Sequence, residues 1–376
     1  MEKTEKTEKT EKTEKTEQIK RTATTEETEN RKLTCALWTV LCVGSMAVML
    51  AFAAKKTIVI ADSAQNQTEL THGTDGRRDP AERPLEVSAA AGVRKRFSIR
   101  LPKEVKAEQV AMENRYASRE LLLYVEGAKQ AFFEENGLSG DVSPVRSASS
   151  QVHDGGILLK VQMSRVLEYK STMEGSTLTI EWYEPRELYD YIVVLDTAGG
   201  SEERKDGVLT RKVARLVQQK FDLPNVRLYL LSMDDVQVAD ADKIGLAEEL
   251  QADLYVRLRT SYDDGRPEAY GILGAYNEEY YIPYFGNVEL ADILTRAVTI
   301  ASSNRAAGLE CAEEESILRS LKVPAAEISL GYLSNDREAG LLWQEGYQGK
   351  LADGLVDGIK EAVRRLEEEE ENLEEP

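Results

Sequence analysis

Short apolar runs alternate with helical segments along the second half of this 376-residue chain. The apolar runs lie at 191–196, 226–231, 254–258, 270–275 and 326–330. The helical segments lie at 208–221, 243–251, 288–304 and 345–366. A strand that is apolar on both faces has to be covered on both faces, and helices between the strands provide that cover. The pattern therefore predicts a three-layer α/β domain with a largely parallel sheet, at about 190–366.

The stretch before this domain has a different pattern. Runs in which apolar and polar residues alternate are typical of half-buried antiparallel strands, and they occur at 96–102, 120–127, 157–164 and 176–185. One short helix is expected at 128–137. We therefore expect a small β-rich domain at about 93–188.

One segment near the N-terminus is long and apolar enough to cross a membrane. Residues 33–54 contain no charged side chain, and about 20 apolar residues span a bilayer as a helix. Arg31 and Lys32 precede the run, which favours a cytoplasmic N-terminus. A cleaved signal peptide is the alternative, but its apolar core is usually only about 7–15 residues long. We expect a single-pass protein of the cell membrane whose C-terminal domains are extracytoplasmic.

The remaining segments are polar. Residues 1–32 include a repeated Lys-Thr-Glu triplet and are expected to form a disordered cytoplasmic tail, residues 57–92 a flexible stalk, and residues 367–376 an acidic tail. The formal net charge of the chain is −19. Such a surface repels phosphodiester backbones, which argues against nucleic acid as a partner.

Several sequence motifs in the α/β region resemble one family of hydrolases. They are ADLYVRL at 252–258, VELADIL at 288–294, and PAAEISLGYLSN at 324–335, which continues as DREAGLLWQEGYQGKLADGLVDGIKEAV. Over about 190–366 the chain resembles the zinc-dependent N-acetylmuramoyl-L-alanine amidases, which cut the amide between muramic acid and the stem peptide of peptidoglycan. The order and register of the motifs make this a specific resemblance.

The resemblance implies a zinc ion held by two histidines and a glutamate, with a second glutamate as general base. The first histidine position is occupied by Gly199 and the second by Arg259. The glutamate ligand position falls on Asp206, or on Arg204 if the preceding loop is shorter. The catalytic glutamate position falls on Ser329. Asp206 is thus the one metal-binding side chain that remains at these positions.

The chain contains only two histidines, His72 in the predicted stalk and His153 in the β-rich region, and neither falls within the hydrolase framework. We therefore expect no zinc and no other cofactor. Arg259 is expected to pair with nearby carboxylates. We expect Arg257 to point to the opposite face of the strand, and both arginines are candidate contacts for an anionic stem peptide.

Three functions follow from these observations. The first is a membrane-anchored amidase-like protein that binds peptidoglycan or a cell-wall protein without hydrolysing it. The second is an active amidase with an unusual metal site, so whether the chain is an enzyme stays open. The third is a scaffold in a cell-wall assembly that uses the β-rich region for contacts.

Overall fold

The computed structural model describes residues 82–198, 205–233, 238–279 and 284–374. All of these residues belong to one compact unit. The predicted tail at 1–32, the predicted membrane helix at 33–54 and most of the predicted stalk lie outside the described residues, as do His72 and Gly199. Within the described ranges, no helix is both long and apolar enough to span a bilayer.

Residues 83–183 form two five-stranded sheets. Their strands are β1 Arg83–Pro84, β2 Val87–Ala89, β3 Arg96–Arg100, β4 Val110–Arg115, β5 Glu120–Glu126, β6 Leu138–Gly140, β7 Val145–His153, β8 Gly156–Met163, β9 Glu168–Glu174 and β10 Thr177–Tyr183. A short helix, α1 Gln130–Glu135, lies between β5 and β6. The strand orders are β1-β7-β8-β5-β4 and β2-β6-β3-β10-β9.

The strand pattern follows the alternation in the sequence. Inward-facing residues of both sheets, such as Phe97, Leu123 and Leu178, are fully buried in one apolar cluster. All the pairings are antiparallel except that of β2 with β6. The stretch predicted as a stalk, 57–92, includes β1 and β2, because these short strands pair with β7 and β6.

The second half of the chain alternates strands and helices, as the sequence predicts. The elements are β11 Tyr191–Thr197, α2 Asp206–Lys220, β12 Val226–Leu231, α3 Asp240–Leu250, β13 Leu254–Ser261, β14 Ile272–Tyr276, α4 Asn287–Ser302, β15 Ala306–Cys311, β16 Ala325–Tyr332, α5 Asp336–Leu342 and α6 Glu345–Glu374. Helix α6 continues past residue 366 into the predicted acidic tail, since glutamate is a good helix former.

The six strands form one mixed sheet in the order β12-β11-β13-β16-β14-β15. The first four strands are parallel to one another. Strand β14 runs antiparallel to β16, and β15 runs parallel to β14. The largely parallel sheet is confirmed, with a reversal of direction at β14.

Helices cover the two faces of this sheet unequally. On one face, Val193 and Leu195 pack into a cluster formed mainly with α2, α4 and α6. On the other face, Ile192 and Val194 pack into a smaller cluster with α3. Since successive side chains of a strand alternate between faces, Asp196 lies on the less covered face. That face carries the cleft described below.

The two parts of the compact unit meet at β12, an edge strand of the six-stranded sheet. The hydroxyl of Tyr116 accepts the Leu230 N–H at 2.8 Å and donates to the Leu230 carbonyl. Glu168 accepts hydrogen bonds from Arg227 at 2.8 Å and from the hydroxyl of Tyr229 at 2.6 Å. These contacts satisfy polar groups of β12 that a free sheet edge would leave to water.

Candidate binding cleft

A cleft of about 390 Å³ lies at the carboxyl ends of β11 and β13 and beside Glu327 of β16, on the face covered by α3. This end of a parallel sheet is where open α/β proteins bind ligands. The ionisable side chains that line it are Asp206, Asp240, Arg257, Arg259, Glu310, Glu313, Glu315 and Glu327. The exposed thiol of Cys311 lines the same cleft.

Strand register places three of the charged residues side by side. Asp196 of β11 is opposite Arg257 of β13, and Arg257 is opposite Glu327 of β16. Neighbouring strands lie about 4.8 Å apart, so charged side chains at the same level are within reach of one another. A row of alternating charge therefore crosses the middle of the sheet.

The arginines of β13 pair with carboxylates on three other strands. Arg257 Nε lies 3.6 Å from both Asp196 Oδ2 and Glu327 Oε2. Arg259 Nε lies 2.7 Å from Glu327 Oε1, and Arg259 Nη2 donates to Glu310 Oε1 at 2.9 Å. The expectation that Arg259 pairs with nearby carboxylates agrees with this geometry.

The expectation that Arg257 points away from Arg259 is wrong. Both arginines contact Glu327 and both line the cleft. Residues i and i+2 of a strand share a face, so Arg257 and Arg259 point the same way. The same rule places Glu327 on the cleft side, two residues before Ser329.

Asp196 is fully buried and has two further partners. Lys243 Nζ donates to Asp196 Oδ2 at 3.0 Å, and the Ser232 hydroxyl donates to Asp196 Oδ1 at 2.8 Å. The side chain of Lys243 is itself only 5% exposed. A carboxylate and an ammonium group buried this deeply are tolerated because each satisfies the other.

Burial dominates the protonation of Glu327. It raises the pKa of the Glu327 carboxyl above its ordinary value, while Arg259 and Arg257 lower the pKa and oppose this shift without cancelling it. Glu310, on the neighbouring edge of the cleft, adds to the increase. The raised pKa means that Glu327 takes up a proton at a higher pH than an ordinary glutamate does.

The positions assigned by the resemblance do not assemble a zinc site. Asp206 lines the cleft, and Arg259 is held there in ion pairs. Ser329 is fully buried, its hydroxyl lies 2.7 Å from that of Ser261, and it is not among the residues lining the cleft. Gly199 lies outside the described residues, although Ala198, next to it, lines the cleft.

The side chains of the cleft are also chemically unsuited to binding zinc. Arg259 is permanently charged and repels a metal cation. His153 ends β7 and packs edge-on against Tyr124, in one of the five-stranded sheets. Within the described ranges, no three His, Cys, Asp or Glu side chains are grouped so as to hold a metal ion. The residues at these positions do not fit zinc.

The sequence contained signals for two site residues that motif matching missed. Lys243 lies at the spacing of Leu246, Ala247 and Leu250, the buried face of α3, so its burial was predictable. Glu327 lies two residues from Ser329 on a strand, so its direction was predictable as well. The contact of Lys243 with Asp196 depends on the order of the strands in the sheet, which the sequence alone does not determine.

Comparisons with known proteins agree with the predicted resemblance. A family model for N-acetylmuramoyl-L-alanine amidase matches residues 196–361. No curated protein sequence matches the chain significantly.

Among solved structures, an N-acetylmuramoyl-L-alanine amidase from Clostridium difficile 630 is 22% identical with a TM-score of 0.43, over 46% of this chain and 97% of its own. The catalytic domain of CwlV from Bacillus (Paenibacillus) polymyxa var. colistinus is 22% identical with a TM-score of 0.41, over 46% and 98%. The AmiC2 amidase of Nostoc punctiforme is 18% identical with a TM-score of 0.41, over 46% and 97%.

Proposed function

Because residues 196–361 match the N-acetylmuramoyl-L-alanine amidases, we propose that this chain is a protein of the bacterial cell wall and that it binds peptidoglycan in its cleft without hydrolysing it. One observation supports the proposal above all. Arg259, at a position that the resemblance assigns to a zinc ligand, is paired with Glu327 and Glu310. An arginine held by two carboxylates is a stable occupant of that position.

The other catalytic position also lacks suitable chemistry. A general base has to lie within hydrogen-bond reach of the water that it activates. Ser329 is fully buried and is hydrogen-bonded to Ser261, so it presents no base to a substrate. The proposal is therefore a binding protein built on a hydrolase fold.

The charge of the cleft selects between ligand groups. Among the described residues, six carboxylates and two arginines line the cleft, and both arginines are already paired with carboxylates of the protein. Such a cleft attracts an ammonium group more strongly than a carboxylate. We therefore favour the amino group of a diamino acid in the stem peptide over the anionic groups expected from the two arginines alone.

Binding and hydrolysis are tested together on the full-length protein with a soluble disaccharide-peptide from peptidoglycan. Calorimetry is expected to show binding, chromatography to show no released stem peptide, and metal analysis to find far less than one zinc per chain. Release of the peptide, or one zinc per chain, would overturn the non-hydrolytic proposal. An absence of binding would overturn the binding proposal.

A matched pair of variants tests the charge argument. Glu313 lines the cleft, whereas its exposed neighbour Glu314 does not. Loss of one nearby charge changes binding of an ammonium group by about 1 kcal/mol, or about five-fold. Glu313→Gln is expected to weaken disaccharide-peptide binding by this amount, and Glu314→Gln to leave it nearly unchanged. Equal effects of both would refute a specific role of the cleft.

We also propose a single-pass membrane anchor at residues 33–54, with the N-terminus in the cytoplasm. The support is the uncharged run and the basic residues that precede it. Membrane fractions of cells that express the full chain are expected to keep the protein after a high-salt wash. External protease is expected to remove the C-terminal domains but spare an epitope placed before residue 33. Recovery of the whole chain in the soluble fraction would refute this topology.

A further inference from the structure

One edge of the six-stranded sheet is open to a further strand. Strand β15 forms this edge, and among the described residues β14 is the one strand that pairs with it. All residues of β15 except Ala307 are exposed. At the opposite edge, by contrast, the hydroxyl of Tyr116 satisfies the backbone groups of Leu230. An uncovered edge presents N–H and C=O groups on which another strand can form.

The pairing of β15 with β14 determines which of its backbone groups are free. Alternate residues of a strand direct their backbone groups to the same neighbour. The Ala312 N–H donates to the Tyr276 carbonyl of β14 at 2.8 Å, so Glu310, two residues earlier, also bonds to β14. Leu309 and Cys311 therefore direct their N–H and C=O groups to the open edge.

The first part of β15 is closed to further pairing by a bulge. Ala307 has no counterpart on β14, and Gly308 next to it has a φ of 123°. A bulge bends and twists the strand away from the line that a neighbouring strand needs. The open stretch is therefore short and covers Gly308–Cys311.

The two sides of this open stretch differ in polarity. Leu309 faces α4, because a Cβ at Gly274 would meet both Leu309 Cδ2 and the hydroxyl of Thr295 in α4. Leu309 is 37% exposed. Glu310 faces the other side, where it pairs with Arg259 and its side chain stays 47% exposed. The alternate side chains of an added strand would thus meet an apolar group on one side and a carboxylate on the other.

Carboxylates outnumber cations at the C-terminal end of the open stretch. Arg319, in the loop after β15, pairs with Glu278 and Glu279 in the loop after β14, which brings the two loops together. Residues 277–279 and 310–319 carry six carboxylates and one arginine. This end of the edge therefore attracts cationic side chains.

The cations beside β15 itself do not balance this charge. Arg259 is already paired with Glu310. Arg305 precedes the strand, on the far side of the bulge. Arg296 of α4 is paired with Asp292 at 2.8 Å. The open backbone groups thus lie where the surface is acidic.

From this arrangement we propose that the open edge of β15 binds an extended segment of another protein in which basic and apolar side chains alternate. The segment adds to the sheet as an antiparallel strand, the orientation with the more stable pairing. Its apolar side chains lie level with Leu309 and its basic side chains level with Glu310. Backbone hydrogen bonds supply affinity and the alternating side chains supply specificity. This surface does not depend on the function proposed for the cleft.

A second copy of the chain fits this edge poorly. If Leu309 paired with Cys311 of the second copy, Glu310 would lie directly opposite its counterpart. Like charges directly opposite each other on two strands destabilise the pairing. Leu309→Pro is therefore expected to leave the oligomeric state of the full-length protein unchanged in sedimentation. A shift of this variant to a smaller species would overturn the proposal in favour of self-pairing.

The test measures fluorescence anisotropy of a labelled peptide, Lys-Val-Lys-Val-Lys-Val with blocked termini, with the full-length protein at about 0.15 M salt. Lys-Lys-Lys-Val-Val-Val has the same composition without the alternation, and Glu-Val-Glu-Val-Glu-Val has the opposite charge. The alternating basic peptide is expected to bind at least about ten-fold more tightly than either. Equal binding of either comparison peptide would overturn the proposal.

Methylation of the peptide nitrogens tests strand addition directly and requires no protein variant. In the antiparallel arrangement the valine N–H groups face β15 and the lysine N–H groups face away from it. Methylation of the valine nitrogens is expected to weaken binding about ten-fold or more, and methylation of the lysine nitrogens less than about three-fold. Equal effects of the two modifications would overturn strand addition.

Protein variants test the two contributions of the edge. Leu309→Pro removes an outward N–H, keeps the bonds to β14, and places a proline where edge strands tolerate it. It is expected to weaken binding of the alternating peptide about ten-fold or more and to leave disaccharide-peptide binding unchanged. Wild-type affinity of this variant for the alternating peptide would overturn the proposal. Thermal midpoints within about 2 °C of wild type establish that each variant is folded.

A matched pair of charge reversals completes the test. Glu310→Lys is expected to weaken binding of the alternating peptide about ten-fold or more, because an attraction becomes a repulsion. Glu104→Lys applies the same charge change at an exposed residue between β3 and β4 and is expected to change binding less than about two-fold. Equal losses would show that only net charge matters and would overturn the assignment to this edge.

Discussion

The buried pair between Lys243 and Asp196 is expected to contribute strongly to the stability of the α/β fold. Lys243→Met keeps most of the side-chain length and apolar stem, so it leaves little cavity. It removes the ammonium group 3.0 Å from a fully buried carboxylate. Removing one partner of a buried pair destabilises a protein by about 3–5 kcal/mol, because the other charge stays buried.

The structure places the expected value at the lower end of that range. Asp196 keeps its hydrogen bond from Ser232 and its contact with Arg257 at 3.6 Å. We therefore expect a loss of about 3 kcal/mol. At about 2–4 °C per kcal/mol for a unit of this size, the thermal midpoint should fall by about 6–12 °C. Circular dichroism of the full-length protein would measure it.

Two comparisons make the measurement decisive. Lys322→Met removes an exposed lysine 3.9 Å from Glu248 and is expected to change stability by less than about 0.5 kcal/mol. Adding Asp196→Asn to Lys243→Met should recover about 2 kcal/mol, since no charge is then left unpaired. If Lys243→Met shifted the midpoint no more than Lys322→Met, or the double variant lost the sum of both single effects, the pairing argument would be refuted.

The other predictions concern a second carboxylate, the β12 edge and the cleft thiol. The pKa of Glu327 is raised in the folded protein, so wild type loses stability as pH increases from about 4.3 through that pKa. The thermal midpoint of Glu327→Gln should therefore rise relative to that of wild type over this pH range. A fall relative to wild type would mean that the effect of the arginines on the pKa outweighs that of burial. Tyr116→Phe removes the hydroxyl that hydrogen-bonds the N–H and the carbonyl of Leu230, and it should lower the free energy of unfolding in urea by about 1–3 kcal/mol. Tyr270→Phe, which removes the hydroxyl of an exposed ring, should change the free energy of unfolding little. Saturation with the disaccharide-peptide should slow alkylation of Cys311, measured on its own peptide by mass spectrometry; an unchanged rate would place the ligand elsewhere.

The strands of the α/β fold were predictable because their apolar runs are dictated by burial on both faces. Runs such as 191–196 and 254–258 lie in central strands and match β11 and β13 closely. Strand β15 was not predicted, because it forms an exposed edge with small residues and shows no apolar alternation. The exposed edge is held in place by its pairing with β14, which is a long-range contact.

The cleft could be predicted from the sequence only in part, because some of its contacts join residues that are far apart in the sequence. Alignment with the family identified Arg259 as a residue of the site, and the period of a strand was sufficient to add Arg257 and Glu327. The contact of Arg259 with Glu310 depends on the reversal of strand direction at β14, which places β15 beside the cleft. The sequence gives no local signal for that reversal.

The ion pairs of the cleft link the strands β11, β13, β16 and β15 to one another. Arg257 connects β11 to β16, and Arg259 connects β16 to β15 through Glu327 and Glu310. A zinc ion stabilises a fold by crosslinking the elements that bear its ligands. Paired arginines supply a crosslink of this kind without a metal, so the framework of the sheet can persist when the ligand positions change. The protein's own side chains thus cross-link the walls of the cleft, as the proposed binding function requires.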